Sequence, residues 1–280
     1  MTFVLGAVAY DPKVVTIWGG FRSWLRDQGF DFDFVLYSNY ERQVEDLVAG
    51  RIDGAWNSPL AWVRADRAAA ARGRRLRPLV MRDTDQDLTS VVVVRGDSSY
   101  KDVADLKGET VAVGAVDSPQ ATLIPLSFLR ASGVRPGDDV AVTRFDVGVG
   151  LHGDHIGGER DAARALMAGR VAAACMIDGN HLLFGREGTL PPGGTRVIAQ
   201  TPPFDHCNLT VGDGPEADRF GELLLSMSYA DPKVRPLFDL EGLTAWRPGR
   251  TTGYPPLERA VDEAGFYDAE GAVTAAGYRP

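Results

Sequence analysis

The sequence predicts an α/β protein in which mostly parallel strands alternate with crossover helices. Three observations carry that prediction. Short apolar runs rich in valine, such as Val91 to Val94, alternate with longer amphipathic stretches, the periodicities of buried strands and of surface helices. Two of the amphipathic stretches stop on glycine, Ala49 before Gly50 and Ala168 before Gly169, which supplies the left-handed residue that closes a helix. One device also occurs twice: VEDLVAGRIDGA from Val44 to Ala55 reads like ARALMAGRVAAA from Ala163 to Ala174. The distance between the copies is far longer than a solenoid period, so each copy is expected in one of two similar lobes.

In chain order, strands are predicted over Thr2 to Val8, Phe32 to Tyr37 and Gly54 to Trp56, separated by helices over Val14 to Gln28 and Tyr40 to Ala49. A helix over Pro59 to Arg72 follows, with Ser58 as its N-cap and Pro59 at the first helical position. The strands Arg77 to Met81 and Ser90 to Arg95 come next, then a short polar helix between Ser98 and Gly108 and the strand Thr110 to Gly114. Helices over Gln120 to Ala131 and Glu159 to Ala168 alternate with strands over Val140 to Phe145 and Ala172 to Ile177. Strands over Thr195 to Thr201 and Asn208 to Val211 and helices over Ala217 to Ser228 and Pro255 to Ala264 close the chain. The tail after Thr244 is expected to pack on the first lobe, with Trp246 and Tyr254 as anchors.

A length of 280 residues is about twice the usual domain of roughly 100 to 150 residues, which suits two lobes or one large unit. The 38 acidic residues outnumber 30 Lys and Arg, giving a net charge of −8. A field of that sign repels a phosphate backbone, so no nucleic acid is expected as partner. The run Arg64 to Arg77, with Arg72, Arg74, Arg75 and Arg77, is a local basic patch, a solvated helix face and turn or a docking surface. No run of about 18 apolar residues offers a membrane span, and MTFVLGAVAYDP has neither the basic start nor the apolar core of an export signal. As written the chain is expected in the cytoplasm; it is extracytoplasmic if these first residues replace a signal.

The segments SVVVVRGDSSYKDVADLKGETVAVG and YSNYERQVEDLVAGRIDGAWNSPLAWV carry a recognisable order of motifs. The first resembles the start of the second lobe in type II periplasmic solute-binding proteins, and the second is similar to the phosphate, phosphite and phosphonate-binding, PhnD-like branch of ABC-transporter substrate-binding proteins. The resemblance runs from Phe3 to about Phe238. It implies a Venus flytrap of two α/β lobes joined by two crossing strands, with residues 1–90 and 205–280 in the first lobe and 91–204 in the second. A small ligand would be held between them, and an ABC permease would be the partner.

Candidate binding residues lie where strands end and helices begin, as ligands do in open α/β sheets. Trp56, Asn57 and Ser58 form one such turn; the amides of the helix start favour an anion, while the plainer reading is that Asn57 and Ser58 only cap the helix. Asp117-Ser118-Pro119-Gln120 forms the second. Only Ser118 keeps the hydroxyl character the resemblance implies there, because Pro119 lacks an N–H and Asp117 adds a negative charge. A carboxylate, a smaller anion or a zwitterion therefore fits the turn at least as well as a phosphonate. Tyr10 and Tyr40 are similar to cleft-lining positions of the family or are core residues, and Asp178 either accepts from a ligand amine or forms a turn.

The segment Gly148 to Glu159 is longer and richer in glycine than the family turn it replaces, and it holds His152 and His155 with Asp154 between them. Those imidazoles could begin a Zn²⁺ or non-haem iron site, with His206-Cys207 as the further donor and strand alternation aiming only one of that pair at the cleft. His181 is another donor. Metal-free anion binding or a plain loop are the other readings. Capture of a small polar, anionic or zwitterionic ligand for a transporter is the leading function. The alternative is a cytosolic enzyme on the same fold, lyase-like, decarboxylase-like or metal-assisted, with His152, His155 or His206 as general acid or base.

Overall fold

A computed structural model of the protein describes residues 2–279. The elements are β1 (Phe3–Val8), α1 (Lys13–Asp27), β2 (Phe32–Tyr37), α2 (Tyr40–Ala49), β3 (Gly54–Asn57), α3 (Pro59–Ala70), β4 (Leu76–Arg82), β5 (Ser90–Arg95), β6 (Thr110–Val113), α4 (Ile124–Ala131), β7 (Ala141–Arg144), α5 (Gly157–Met167), β8 (Ala173–Ile177), α6 (Asp178–Arg186), β9 (Thr195–Gln200), β10 (Asn208–Gly212), α7 (Pro215–Ser226), α8 (Arg235–Glu241), β11 (Trp246–Pro248) and α9 (Pro255–Ala264). They build two sheets, ordered β11-β4-β10-β3-β1-β2 and β7-β6-β8-β5-β9.

The sheets share one plan. β1 pairs in parallel with β2 and β3, and β10 lies antiparallel to β3. In the second sheet β6 pairs in parallel with β7 and β8, and β5 lies antiparallel to β8. The repeated device of the sequence is the same piece in each plan, α2 running into β3 and α5 into β8. Gly50 and Gly169 both take left-handed φ values, 72° and 67°. The amides of Arg51 and Arg170 then return to Asp46 and Ala165 carbonyls at 2.9 and 3.0 Å, the hydrogen bond of a glycine-terminated helix.

Each sheet is covered on both faces. One side of the first packs Phe3, Leu5, Trp18, Phe21 and Phe220, and the other Val44, Leu47, Leu60 and Trp62. Burial on both sides is why its strands, like Val91 to Val94 in the second, read as continuous apolar runs rather than as alternation. The chain passes between the sheets through paired crossings, where Leu88 and Phe204 exchange reciprocal backbone hydrogen bonds of 2.8 Å. Arg250 braces this crossing by bonding Asp87 and Asp205.

Four local expectations change. The helix expected from Gln120 starts as one wide turn over Pro119–Leu123, capped by Ser118, before α4. Asp178 begins α6, where the sequence suggested a turn. The tail does not stay on the first lobe: β11 joins the edge of the first sheet, while α9 packs against both α3 and α4. Part of the basic run holds that tail, since Arg64 bonds the Gly271 carbonyl and Arg67 bonds Asp262 and the Tyr267 carbonyl. No helix among the described residues is long and apolar enough to cross a membrane.

Candidate ligand-binding site

The glycine-rich segment between β7 and α5 enters the space between the two sheets and touches both. Asp117, in the turn that follows β6, holds it there: its Oδ2 accepts from the amides of Gly150 and His152 at 2.8 and 2.9 Å. The charge that seemed to spoil an anion seat is therefore engaged by the chain's own amides. Gly153 makes the approach possible, because a Cβ at its φ of 83° would lie 2.5 Å from the Gln120 Oε1 atom.

His152 sits at the tip, fully buried, with φ 51°. This strained backbone is held by bonds at both ring nitrogens. Nδ1 lies 2.7 Å from the Ser58 hydroxyl, and Nε2 lies 2.7 Å from the Tyr278 hydroxyl and 3.2 Å from Glu41 Oε1. The ring also stacks on Tyr40, with centroids 4.7 Å apart. Ser58 remains the N-cap of α3, accepting from the Ala61 amide at 3.1 Å. Burial would raise the Glu41 carboxyl, but the bonds from His152 and Tyr278 bring it below the usual range.

Two residues further on, Asp154 faces the first lobe, where its carboxylate accepts from the Tyr40 hydroxyl and lies 3.6 Å from Cys207 Sγ. Behind Cys207 is a buried charge cluster. Arg82 grips Asp85 through two bonds of 2.6 and 2.9 Å, reaches Glu241 at 3.3 Å and lies over the Trp56 ring. Burial works against the Asp85 charge, yet the Arg82 guanidinium holds its carboxyl down at about 2. Glu241 shares that guanidinium on worse terms, and burial pushes it up to about 7. Tyr10 is raised by its burial and by Asp154 and Glu241. The cleft interior is thus aromatic and acidic.

The sequence-predicted residues divide accordingly. Tyr10, Tyr40, Ser58 and His206 are brought to this boundary, whereas Trp56 packs inside the first lobe on Trp246 and beneath Arg82. Gln120 joins from the second lobe, donating to the Gly153 carbonyl at 2.8 Å and to Glu159 at 3.3 Å. Ser118 caps its turn at the Ala121 amide. Asn57 is committed inside the first lobe, bonded to Gln43 and Thr210. Asp178 accepts from the Thr89 hydroxyl and the Gly179 amide near the crossing.

The three histidines expected to share a metal are not gathered. His152 spends both nitrogens on Ser58, Tyr278 and Glu41, His155 packs on Gly148 and receives the Gly157 amide, and His206 groups with Asp85 and Cys207. His181 lies on α6, 3.4 Å from the Thr195 hydroxyl. His206 and Cys207 also do not point apart, because they precede β10 and escape its alternation; Nδ1 and Sγ are 3.1 Å apart. Glu41, Arg82, Asp85, Glu241 and Tyr278 were not legible as site residues. Their roles depend on contacts across the first lobe and from the far end of the chain, for which no local spacing stands.

Two lobes of one plan, joined by paired crossings and closing on polar residues at the strand ends, define a type II solute-binding protein. The model for the family "ABC transporter, phosphonate, periplasmic substrate-binding protein" matches residues 6–254, and the chain belongs to that family. Among solved structures, the chain is similar to XAC2383 from Xanthomonas citri bound to ATP, with TM-score 0.68 and 18% identity over 94% of this chain and 97% of that one. PhnD1 from Prochlorococcus marinus, in complex with methylphosphonate, gives TM-score 0.62 and 16% identity over 94% and 98%. The aliphatic sulphonate binding protein SsuA from Escherichia coli gives 0.54 and 20% over 93% and 82%. At these identities the likeness is one of fold. No curated protein matches the chain.

The protein is thus a ligand-binding component of an ABC transporter, with a small molecule as ligand and a permease as partner. The family supports the binding role and not the enzyme alternative. It is a family of periplasmic proteins, so the expectation of a cytoplasmic chain finds no support.

Proposed function

We propose that the interlobe cleft captures a small zwitterion, a molecule with an acidic group and a cationic, donor-rich group, rather than a simple phosphonate. The observation that carries this reading is the imbalance of hydrogen-bonding groups. Glu41 Oε2, Asp117 Oδ1 and Gln120 Oε1 are buried around the inserted segment without a partner among the described residues, and all three are acceptors. Asp154, Glu159 and Glu241 add carboxyls, whereas Arg82 is committed to Asp85 and Arg64 to the Glu41 and Gly271 carbonyls. Buried acceptors left unpaired cost on the order of 1 to 3 kcal/mol each, so a ligand that brings several N–H donors is favoured over one that brings only oxygens. The acidic end is left to the start of α3, whose helix dipole suits an anion, although Ser58 itself is engaged by Ala61 and His152.

Thermal denaturation with matched pairs tests this. An aminoalkyl phosphonate or aminoalkyl sulfonate should raise the melting temperature at millimolar concentration, and the same compounds without the amine should not. Equal stabilisation by both members of a pair, or stabilisation by the unaminated member alone, would sink the zwitterion reading.

A further inference from the structure

The acidic cluster beneath the cleft also has the donor set of a metal site. Asp85, His206 and Cys207 each place one ligand atom within 4.8 Å of the others, and all three are buried. His206 Nδ1 lies 3.1 Å from Cys207 Sγ and 3.5 Å from Asp85 Oδ1. Asp154 comes from the opposite lobe to within 3.6 Å of the same sulfur. Around a tetrahedral Zn²⁺, with bonds of about 2.0 to 2.3 Å, neighbouring N, O and S donors stand about 3.3 to 3.6 Å apart. The His206–Asp85 and Asp154–Cys207 separations fall in that range and the His206–Cys207 separation is a little shorter, while Asp154 lies outside the mutually close set of three and completes it by a side-chain rotation.

We propose that His206 Nδ1, Cys207 Sγ, Asp85 and Asp154 form a Zn²⁺ site that ties the inserted segment of the second lobe to the first. The mixture of imidazole, thiolate and carboxylate suits a borderline ion such as Zn²⁺ and not Mg²⁺ or Ca²⁺, which take oxygen. Charge argues the same way. Asp85, Asp154 and Glu241 stand around the Cys207 thiol with the single Arg82 guanidinium among them. A divalent cation reverses that balance: the thiol releases its proton to solvent as the sulfur–metal bond forms, and Arg82 with the ion then offsets the two aspartates and the thiolate. Existing bonds already fix the donors. Arg82 orients Asp85 by bonding both of its carboxylate oxygens, the His206 amide bonds the Asp85 carbonyl at 2.8 Å, and Tyr40 orients Asp154.

The site does not depend on which organic ligand the cleft takes, since the test uses the metal alone. Purified protein is stripped with chelator, and Co²⁺ is titrated as a spectroscopic stand-in for Zn²⁺, with Zn²⁺ affinity measured by competition. The site predicts one equivalent bound, a near-ultraviolet thiolate-to-Co²⁺ charge-transfer band, and release of one proton. Cys207→Ser should abolish the band, and Asp154→Asn should weaken Zn²⁺ binding by about 100-fold, at least the upper end of what loss of an outer-shell partner does. His181→Ala should leave both unchanged. Circular dichroism of each variant separates loss of the site from loss of the fold, and Asp154→Asn, on a partly exposed segment, carries the test if Cys207→Ser does not fold. Absence of stoichiometric binding to folded wild-type protein, or a band that survives in folded Cys207→Ser protein, would overturn the proposal.

Discussion

The hydroxyl of Ser58, the N-cap of a helix in one lobe, lies 2.7 Å from Nδ1 of His152, which the other lobe carries on its inserted segment. This contact seals the cleft from within, because His152 also reaches Glu41 and Tyr278 on its other nitrogen. His152→Ala removes a buried partner from all three. At about 1 to 3 kcal/mol for a buried group left unpaired, unfolding in urea should show a loss of at least about 2 kcal/mol. A change below about 0.5 kcal/mol would mean that the segment does not occupy the boundary in solution.

Tyr278 makes the same point from the end of the chain. Its hydroxyl donates to Glu41 Oε1 at 2.6 Å and meets His152 at 2.7 Å. Tyr278→Phe should destabilise by about 1 to 2 kcal/mol and speed amide exchange in residues 148–155. Unaltered exchange there would show that the tail does not support the segment.

Arg82 is expected to be the most sensitive position of the cluster. Its replacement by methionine leaves Asp85, almost wholly buried, without its two guanidinium bonds. Removing one member of a buried ion pair costs about 3 to 5 kcal/mol. Arg82→Lys should recover only part of this, since an ammonium cannot make the paired bonds or lie flat over Trp56. Full recovery by lysine would contradict the fork geometry.

Glu159 gives a pH signature. Burial pushes its carboxyl up to about 7, although Asn180, the Ile177 amide and Gln120 all bond it. An unfolded glutamate titrates near ~4.3, so the folded state holds the proton more tightly than the unfolded state does. Its contribution to stability is full below ~4.3 and is lost as pH rises through about 7. Glu241 adds the same trend, while Asp85, at about 2, is constant across this window. Urea midpoints of wild type minus Glu159→Gln should therefore fall from pH 5 to pH 8; a difference that is flat or rises would contradict the assignment.

The sequence carried the fold well because its signals were local. Valine runs marked strands buried on both faces, and the two Gly-Arg turns marked equivalent places in the two lobes. The site was partly legible. Strand-to-helix turns pointed to Ser58 and Ser118, and the surplus of glycine and histidine pointed to the inserted segment. Direction was not legible: whether His152 meets His206 or Ser58 depends on how the segment enters the cleft, which the Asp117 carboxylate sets by binding its amides. Likewise His206 and Cys207 share a cluster because both lie ahead of β10, which begins at Asn208 as expected, so strand alternation does not govern where they point.

The central claim, a cleft that selects a donor-bearing zwitterion through its own carboxyls, is tested most directly by calorimetric titration of an aminoalkyl phosphonate into wild-type protein and Asp117→Asn protein. The account predicts saturable one-to-one binding to wild type, and at least about tenfold weaker binding to the variant, a loss of about 1.4 kcal/mol. Binding of the unaminated phosphonate as tight as that of the aminated one, with no loss in the variant, would contradict it.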